Sequence, residues 1–108
     1  MDQSILDELS AGIIGILGGQ LHKIILYGSV VRGTAEEESD VDVAIIVSGS
    51  ISDKDDDSLS EHIAKMDLKY DRVFSVIDID VREFDKWKTL SPFYRNVNQE
   101  GIVLWKAA

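Results

Sequence analysis

The sequence has no cysteine among its 108 residues and a single proline. The first absence removes disulfide scaffolds, thiolate metal centres and cysteine nucleophiles together. No apolar run approaches the ~18–20 residues that a membrane-spanning helix needs. The start, Met1-Asp2-Gln3-Ser4, lacks the basic residues that open an export signal. A cytoplasmic protein without membrane contact is therefore expected. Positive charge is also scarce, with 11 Lys and Arg against 20 Asp and Glu and a formal net charge of −9. Holding duplex nucleic acid by its phosphates needs a basic surface, so direct binding of that kind is not expected. A small phosphate ligand remains compatible, provided that backbone amides and a metal ion supply positive potential locally. The acidic clusters Glu36-Glu37-Glu38 and Asp55-Asp56-Asp57 read as solvating charge, or as a face for a basic partner.

What the chain does have is 44% apolar residues, enough for one core in a single domain over residues 1–108. Ile5, Leu9, Ile13 and Leu17 recur every fourth residue and predict a helix over 4–17, stopped by Gly18-Gly19. Lys23 to Tyr27 is a short apolar strand ended by Gly28, and residues 29–34 have room for about one helical turn. Asp40 to Val47 reads as a strand buried on both faces beyond its first residues. Leu59, Ile63, Met66 and Tyr70 mark a second long helix over 52–70, followed by a strand over 73–80 and a shorter helix through Phe84 and Trp87. Ser91-Pro92 starts a last helix, Gly101 stops it, and Ile102 to Trp105 forms an edge strand. The resulting fold class is α/β (α+β): a small mixed sheet of about four strands, with helices packed mainly on one face.

The chemistry-bearing residues lie between Leu26 and Val47. A strand runs into Gly28-Ser29, ten residues follow, and Asp40-Val41-Asp42 opens the next strand. Gly28 lets the chain turn sharply and lets a ligand approach the backbone without meeting a Cβ. Ser29 then starts a short turn whose hydroxyl and free N–H groups suit a phosphate. Arg32 follows three residues on, where its guanidinium can pair with the same phosphate or with Glu36 to Glu38. Gly33 permits the tight exit. Asp40 and Asp42, one residue apart on a strand, point to one face at a spacing of ~6.5–7 Å. Carboxylates that close repel each other unless a cation lies between them. Mg²⁺ suits the position, since it takes one or two carboxylates together with substrate phosphates.

Other residues carry weaker signals. Asp53-x-Asp55-x-Asp57 has the opening spacing of a calcium loop, but Ser58 and Ala64 stand where glycine and glutamate would be required. It reads instead as the acidic first turn of the second long helix. His22 and His62 lack ligand spacing. Trp87, Phe93, Tyr94 and Trp105 read as core or partner contacts.

Gly28-Ser29, the ten-residue interval and Asp40-x-Asp42 resemble the signature of the DNA polymerase beta-like nucleotidyltransferase superfamily, and the short length resembles its minimal nucleotidyltransferase branch. Ser91 to Val97 and Glu100-Gly101-Ile102 are similar to the closing helix and strand of small bacterial members. The resemblance implies that Gly28 and Ser29 hold NTP phosphates and that Asp40 and Asp42 ligate catalytic Mg²⁺ or Mn²⁺. The implied reaction moves a nucleoside monophosphate from an NTP to an acceptor hydroxyl. Active members carry a third carboxylate on the next strand. A parallel crossover through helix 52–70 puts that place near residues 73–75, so Ser75 is read there, with Asp71, Asp78 and Asp80 as the rivals. Two functions stay open: a Mg²⁺-dependent nucleotidyltransferase, or a nucleotide-binding, antitoxin-like or regulatory subunit of a HEPN-type helical partner. The identities of the NTP and the acceptor, and the oligomeric state, are not legible in these residues.

Overall fold

The computed structural model describes residues 1–33 and 40–108, so the Glu36–Glu38 cluster lies outside the described residues. Helix α1 (Gln3–Leu17) leads into strand β1 (Leu21–Tyr27), the one-turn helix α2 (Ser29–Arg32) and strand β2 (Val41–Val47). Helix α3 (Asp53–Tyr70) crosses to β3 (Phe74–Asp80); α4 (Val81–Trp87), α5 (Pro92–Glu100) and β4 (Ile102–Lys106) complete the chain. The sheet order is β3-β2-β1-β4. β1 runs antiparallel to both β2 and β4, whereas β2 and β3 are parallel, which makes the sheet mixed. β4 occupies an edge, as expected.

Both long helices are capped as their sequences dictate. Asp2 accepts a hydrogen bond from the Ser4 N–H at 2.9 Å, and Ser52 accepts one from Asp55 N–H. Asp53, Asp55 and Asp56 occupy the first turn of α3, where the helix dipole favours negative charge, so the calcium-loop spacing is a helix start. The two helices meet where Gly12 has no side chain: a Cβ there would collide with the His62 ring. His62 Nε2–H donates to the Leu9 carbonyl at 3.1 Å across this contact. Glu8 on α1 accepts from Lys69 Nζ at 2.9 Å and from Tyr70 O–H at 2.6 Å, closing the other end.

Strand alternation divides the core in two. Val41, Val43 and Ile45 face α1 and α3, packing with Leu9, Ile13, Leu59 and Met66. Ala44 and Ile46 face the other way, with Ile25, Ile79, Phe84 of α4 and Val97 of α5. The two long helices thus share one face, in line with the expected arrangement. The second face carries a smaller cover of two short helices, α4 and α5, in addition to the main helical layer that the sequence predicts.

One backbone hydrogen bond opens the β2–β3 ladder, and a side-chain hydrogen bond from α3 anchors the start of β3. Val41 N–H donates to the Val73 carbonyl at 2.8 Å, and the Asp67 side chain accepts from Phe74 N–H at 2.9 Å. As a result Asp42 lies directly beside Ser75.

Candidate functional site

The candidate site lies where β1 ends and β2 begins. Gly28 has φ 80° and ψ −155°, a conformation essentially reserved for glycine. A Cβ at this position would also overlap Asp42 Oδ2 and stand 3.1 Å from its Cγ. Gly28 is therefore required twice, for the turn and for the close approach of the Asp42 carboxylate. Ser29 opens α2, Arg32 N–H donates to the Gly28 carbonyl at 3.2 Å, and Gly33 closes the turn in the left-handed region at φ 72°. Arg32 Nη1 lies 3.8 Å from Glu100 Oε2. The alternative pairing with Glu36 to Glu38 falls outside the described residues.

Asp42 alternates with the buried Val41 and Val43, so it faces the α4/α5 side of the sheet, and Asp40, two residues earlier, shares that side. Asp42 is flanked by Tyr27 on β1 and Ser75 on β3. Ser75 Oγ donates to Asp40 Oδ2 at 3.0 Å. A hydroxyl thus stands where a third carboxylate was sought. Asp78 and Asp80 pair with Ile45 and Val47, further along the strand and on the opposite face. Asp80 has a different task, capping α4 by accepting from Arg82 N–H at 2.8 Å. Asp71 ends α3 in the left-handed conformation at φ 50°. Among the described residues, no group of three His, Asp or Glu side chains is placed to hold a metal ion.

The electrostatics follow from this crowding. Partial burial, and then the negative charge of Asp40, push the Asp42 carboxyl above its ordinary range, with Arg32 acting in the other direction. Burial, and then Asp42, push the Tyr27 phenol up. Two carboxylates and one hydroxyl form an all-oxygen donor set, which fits a hard divalent cation that would relieve the repulsion. Tyr27 and Glu100 were not singled out from sequence. Both reach the site through antiparallel strand pairing, which no local pattern encodes. Phe93 packs edge-on to Tyr27, with ring centroids 5.7 Å apart. Behind it, Tyr94 and Trp87 line a cavity of about 330 Å³ between α4 and α5. Trp87 and Phe93 remain 37% and 43% exposed, which leaves them available for partner contact.

Gly28→Ala tests the tight approach directly. Forcing a Cβ into that backbone conformation is expected to cost about 1–3 kcal/mol of stability. It also displaces the Asp42 carboxylate, so the midpoint of denaturation is expected to fall and, on the reading of Asp40 and Asp42 as metal ligands proposed below, divalent-metal affinity with it. Unchanged metal affinity in a folded Gly28→Ala protein would contradict this geometry.

The chain resembles known proteins in both sequence and fold. It is 39% identical over 87 residues to a Methanocaldococcus jannaschii protein named “Putative protein adenylyltransferase”, covering 81% of each chain. A chain from the crystal structure of a toxin-antitoxin with AMP-PNP superposes with a TM-score of 0.61 at 21% identity, over 99% of this chain and 75% of that one. A chain from the complex of tri-AMPylated Shewanella oneidensis HEPN toxin with MNT antitoxin gives a TM-score of 0.55 at 19% identity, over 98% and 74%. At these identities the two superpositions speak for the fold. Residues 13–108 match the family described as “Polymerase beta, Nucleotidyltransferase”, an interval that holds the Gly28 turn, both aspartates and all four strands, and the chain belongs to that family.

Proposed function

We propose that the protein is a Mg²⁺-dependent nucleotidyltransferase that moves a nucleoside monophosphate, most simply AMP, from an NTP to a protein hydroxyl. The observation that carries this reading is Asp40 and Asp42 on one sheet face, with Asp42 packed against the side-chain-free Gly28 turn. The name of the 39% identical relative supports AMP and a protein acceptor. In this reading the Gly28-Ser29 turn holds the triphosphate, Arg32 pairs with one of its phosphates, and Asp40 and Asp42 hold Mg²⁺ or Mn²⁺. Bound there, the cation offsets phosphate charge and favours departure of pyrophosphate. Ser75 orients Asp40 through its hydrogen bond but adds no charge. The acceptor hydroxyl therefore meets a weaker electrostatic environment than three carboxylates would provide, and transfer is slow.

That deficit favours a second reading, in which nucleotide binding persists with little catalysis and the chain serves as an antitoxin-like or regulatory subunit. A HEPN-type helical protein, as in the superposed toxin-antitoxin complexes, is the proposed partner in either case. Calorimetry with ATP, with and without Mg²⁺, tests the core of the proposal: binding that requires the metal is expected, and no binding in either buffer overturns it. Incubation of Mg²⁺ and α-labelled ATP with the partner then separates enzyme from binder. The net charge of −9 predicts a partner with a basic face and association that weakens as salt rises. Recovery of the isolated chain alone from its native host, at both low and physiological salt, would remove the partner from this account.

A further inference from the structure

Arg32 already has a partner in the ligand-free protein. Its guanidinium stands 3.8 Å from the Glu100 carboxylate, and about half of each side chain is exposed, 51% and 49%. Glu100 is brought there by the backbone. Antiparallel pairing sets Leu26 opposite Ile102, and α5 ends at Glu100 just before that strand, so Glu100 arrives at the end of β1, where α2 carries Arg32. Gly101 fixes that approach. A Cβ on it would collide with Ile25 Cγ2 and the Val97 carbonyl, and its N–H donates to that carbonyl at 3.2 Å.

The Arg32–Glu100 separation exceeds the ~2.7–2.9 Å of a charge-assisted hydrogen bond. The pair is therefore held by charge alone and exchanges readily for a better anion. A phosphate, which accepts two parallel bonds from one guanidinium, is such an anion. An incoming triphosphate must displace Glu100 and enter a site where, among the described residues, Asp40, Asp42 and Glu100 set three carboxylates against the Arg32 guanidinium. A free polyanion is repelled there, whereas one already carrying a divalent cation is not.

We infer that Glu100 acts as a charge filter on the nucleotide turn, occupying Arg32 until a metal-bound triphosphate displaces it. This rests on the reading that the triphosphate lies at Gly28-Ser29. Glu100 is a positioning residue in this scheme, since it acts through Arg32.

The test is calorimetry of the full chain with ATP, in EDTA and in excess Mg²⁺, for wild type, Glu100→Gln, Arg32→Ala and the double variant. Circular dichroism confirms folding of each. Glu100→Gln is expected to tighten metal-free ATP roughly three- to tenfold, the scale on which one partly exposed charge acts. Mg²⁺-ATP should tighten less, so the preference for the metal complex shrinks. In the Arg32→Ala background, Glu100→Gln should have a clearly smaller effect on metal-free affinity, because no guanidinium is left to release and only the direct repulsion by one half-exposed carboxylate is relieved. Unchanged or weaker metal-free binding in Glu100→Gln overturns the filter, and a full effect without Arg32 overturns its mechanism. Metal-dependent binding that needs Asp40 and Asp42 but ignores Glu100 sinks the filter alone. Absence of ATP binding in every variant and both buffers sinks the site reading with it.

Discussion

The double variant Asp40→Asn/Asp42→Asn is expected to lose metal-dependent ATP binding by about a hundredfold or more, because both charges that would hold the cation are removed. Its fold should survive. Asp40 lies just before β2 at an exposed position, and Asp42 is flanked by Tyr27 and Ser75 rather than by a close-packed core. The melting temperature should even rise at neutral pH. The Asp42 carboxyl is raised in the folded protein by burial and by Asp40. Between the ordinary carboxylate pKa and this raised one, the folded state binds more protons than the unfolded state. Stability therefore falls as pH rises through that window and stays lowered above it. Asn removes this cost, so wild type and variant should converge at acidic pH, below both values. Adding Mg²⁺ should stabilise the wild type and leave the variant unmoved. Calorimetry that finds the same metal-dependent affinity in the double variant would remove the two aspartates from the site.

Ser75→Asp is expected to raise the nucleotidyl-transfer rate by about ten- to a hundredfold, the scale on which a single placed electrostatic group alters a transition state. The reason is register. Ser75 lies beside Asp42 and already reaches Asp40 Oδ2 at 3.0 Å, so a carboxylate on that strand position converges with the other two. Without metal, the third negative charge should lower the melting temperature; with Mn²⁺ the loss should reverse, and Mn²⁺ affinity should rise above that of wild type. Metal titration followed by electron paramagnetic resonance reads this independently of catalysis. No gain in Mn²⁺ affinity in a folded Ser75→Asp protein would mean that position 75 does not complete the site. Asp78→Asn provides the control. Its position on the opposite sheet face predicts no effect on transfer or metal affinity.

Much of this arrangement is legible in the residues themselves, because local patterns carry it. The four-residue period of Ile5, Leu9, Ile13 and Leu17, the acidic first turn after Ser52 and the Ser91-Pro92 start each specify an element within a few residues of where it forms. The Gly28 turn, the shared face of Asp40 and Asp42, and Ser75 beside them also follow from alternation plus one inference, a parallel crossover through α3. That inference needed only the length of the intervening helix, since parallel neighbours require a long connection.

The remainder was decided by the tertiary structure. Which strand β4 pairs with determines that Glu100 meets Arg32, and nothing in residues 100–106 names β1 as the partner. The side of the sheet taken by α4 and α5 determines that Phe93 packs edge-on against Tyr27. Short helices with a few apolar residues can cover either face until the long helices have claimed one. The packing of Gly12 under the His62 ring and of Gly101 against Ile25 belongs to the same class. A missing side chain is a permission, and only the neighbour brought from elsewhere in the chain shows what it permits. Local periodicity thus determined the elements and the aspartate pair, because both depend on spacing along a single segment. Long-range pairing decided the charge and aromatic surroundings of the site, because these depend on which segments the shared core brings together.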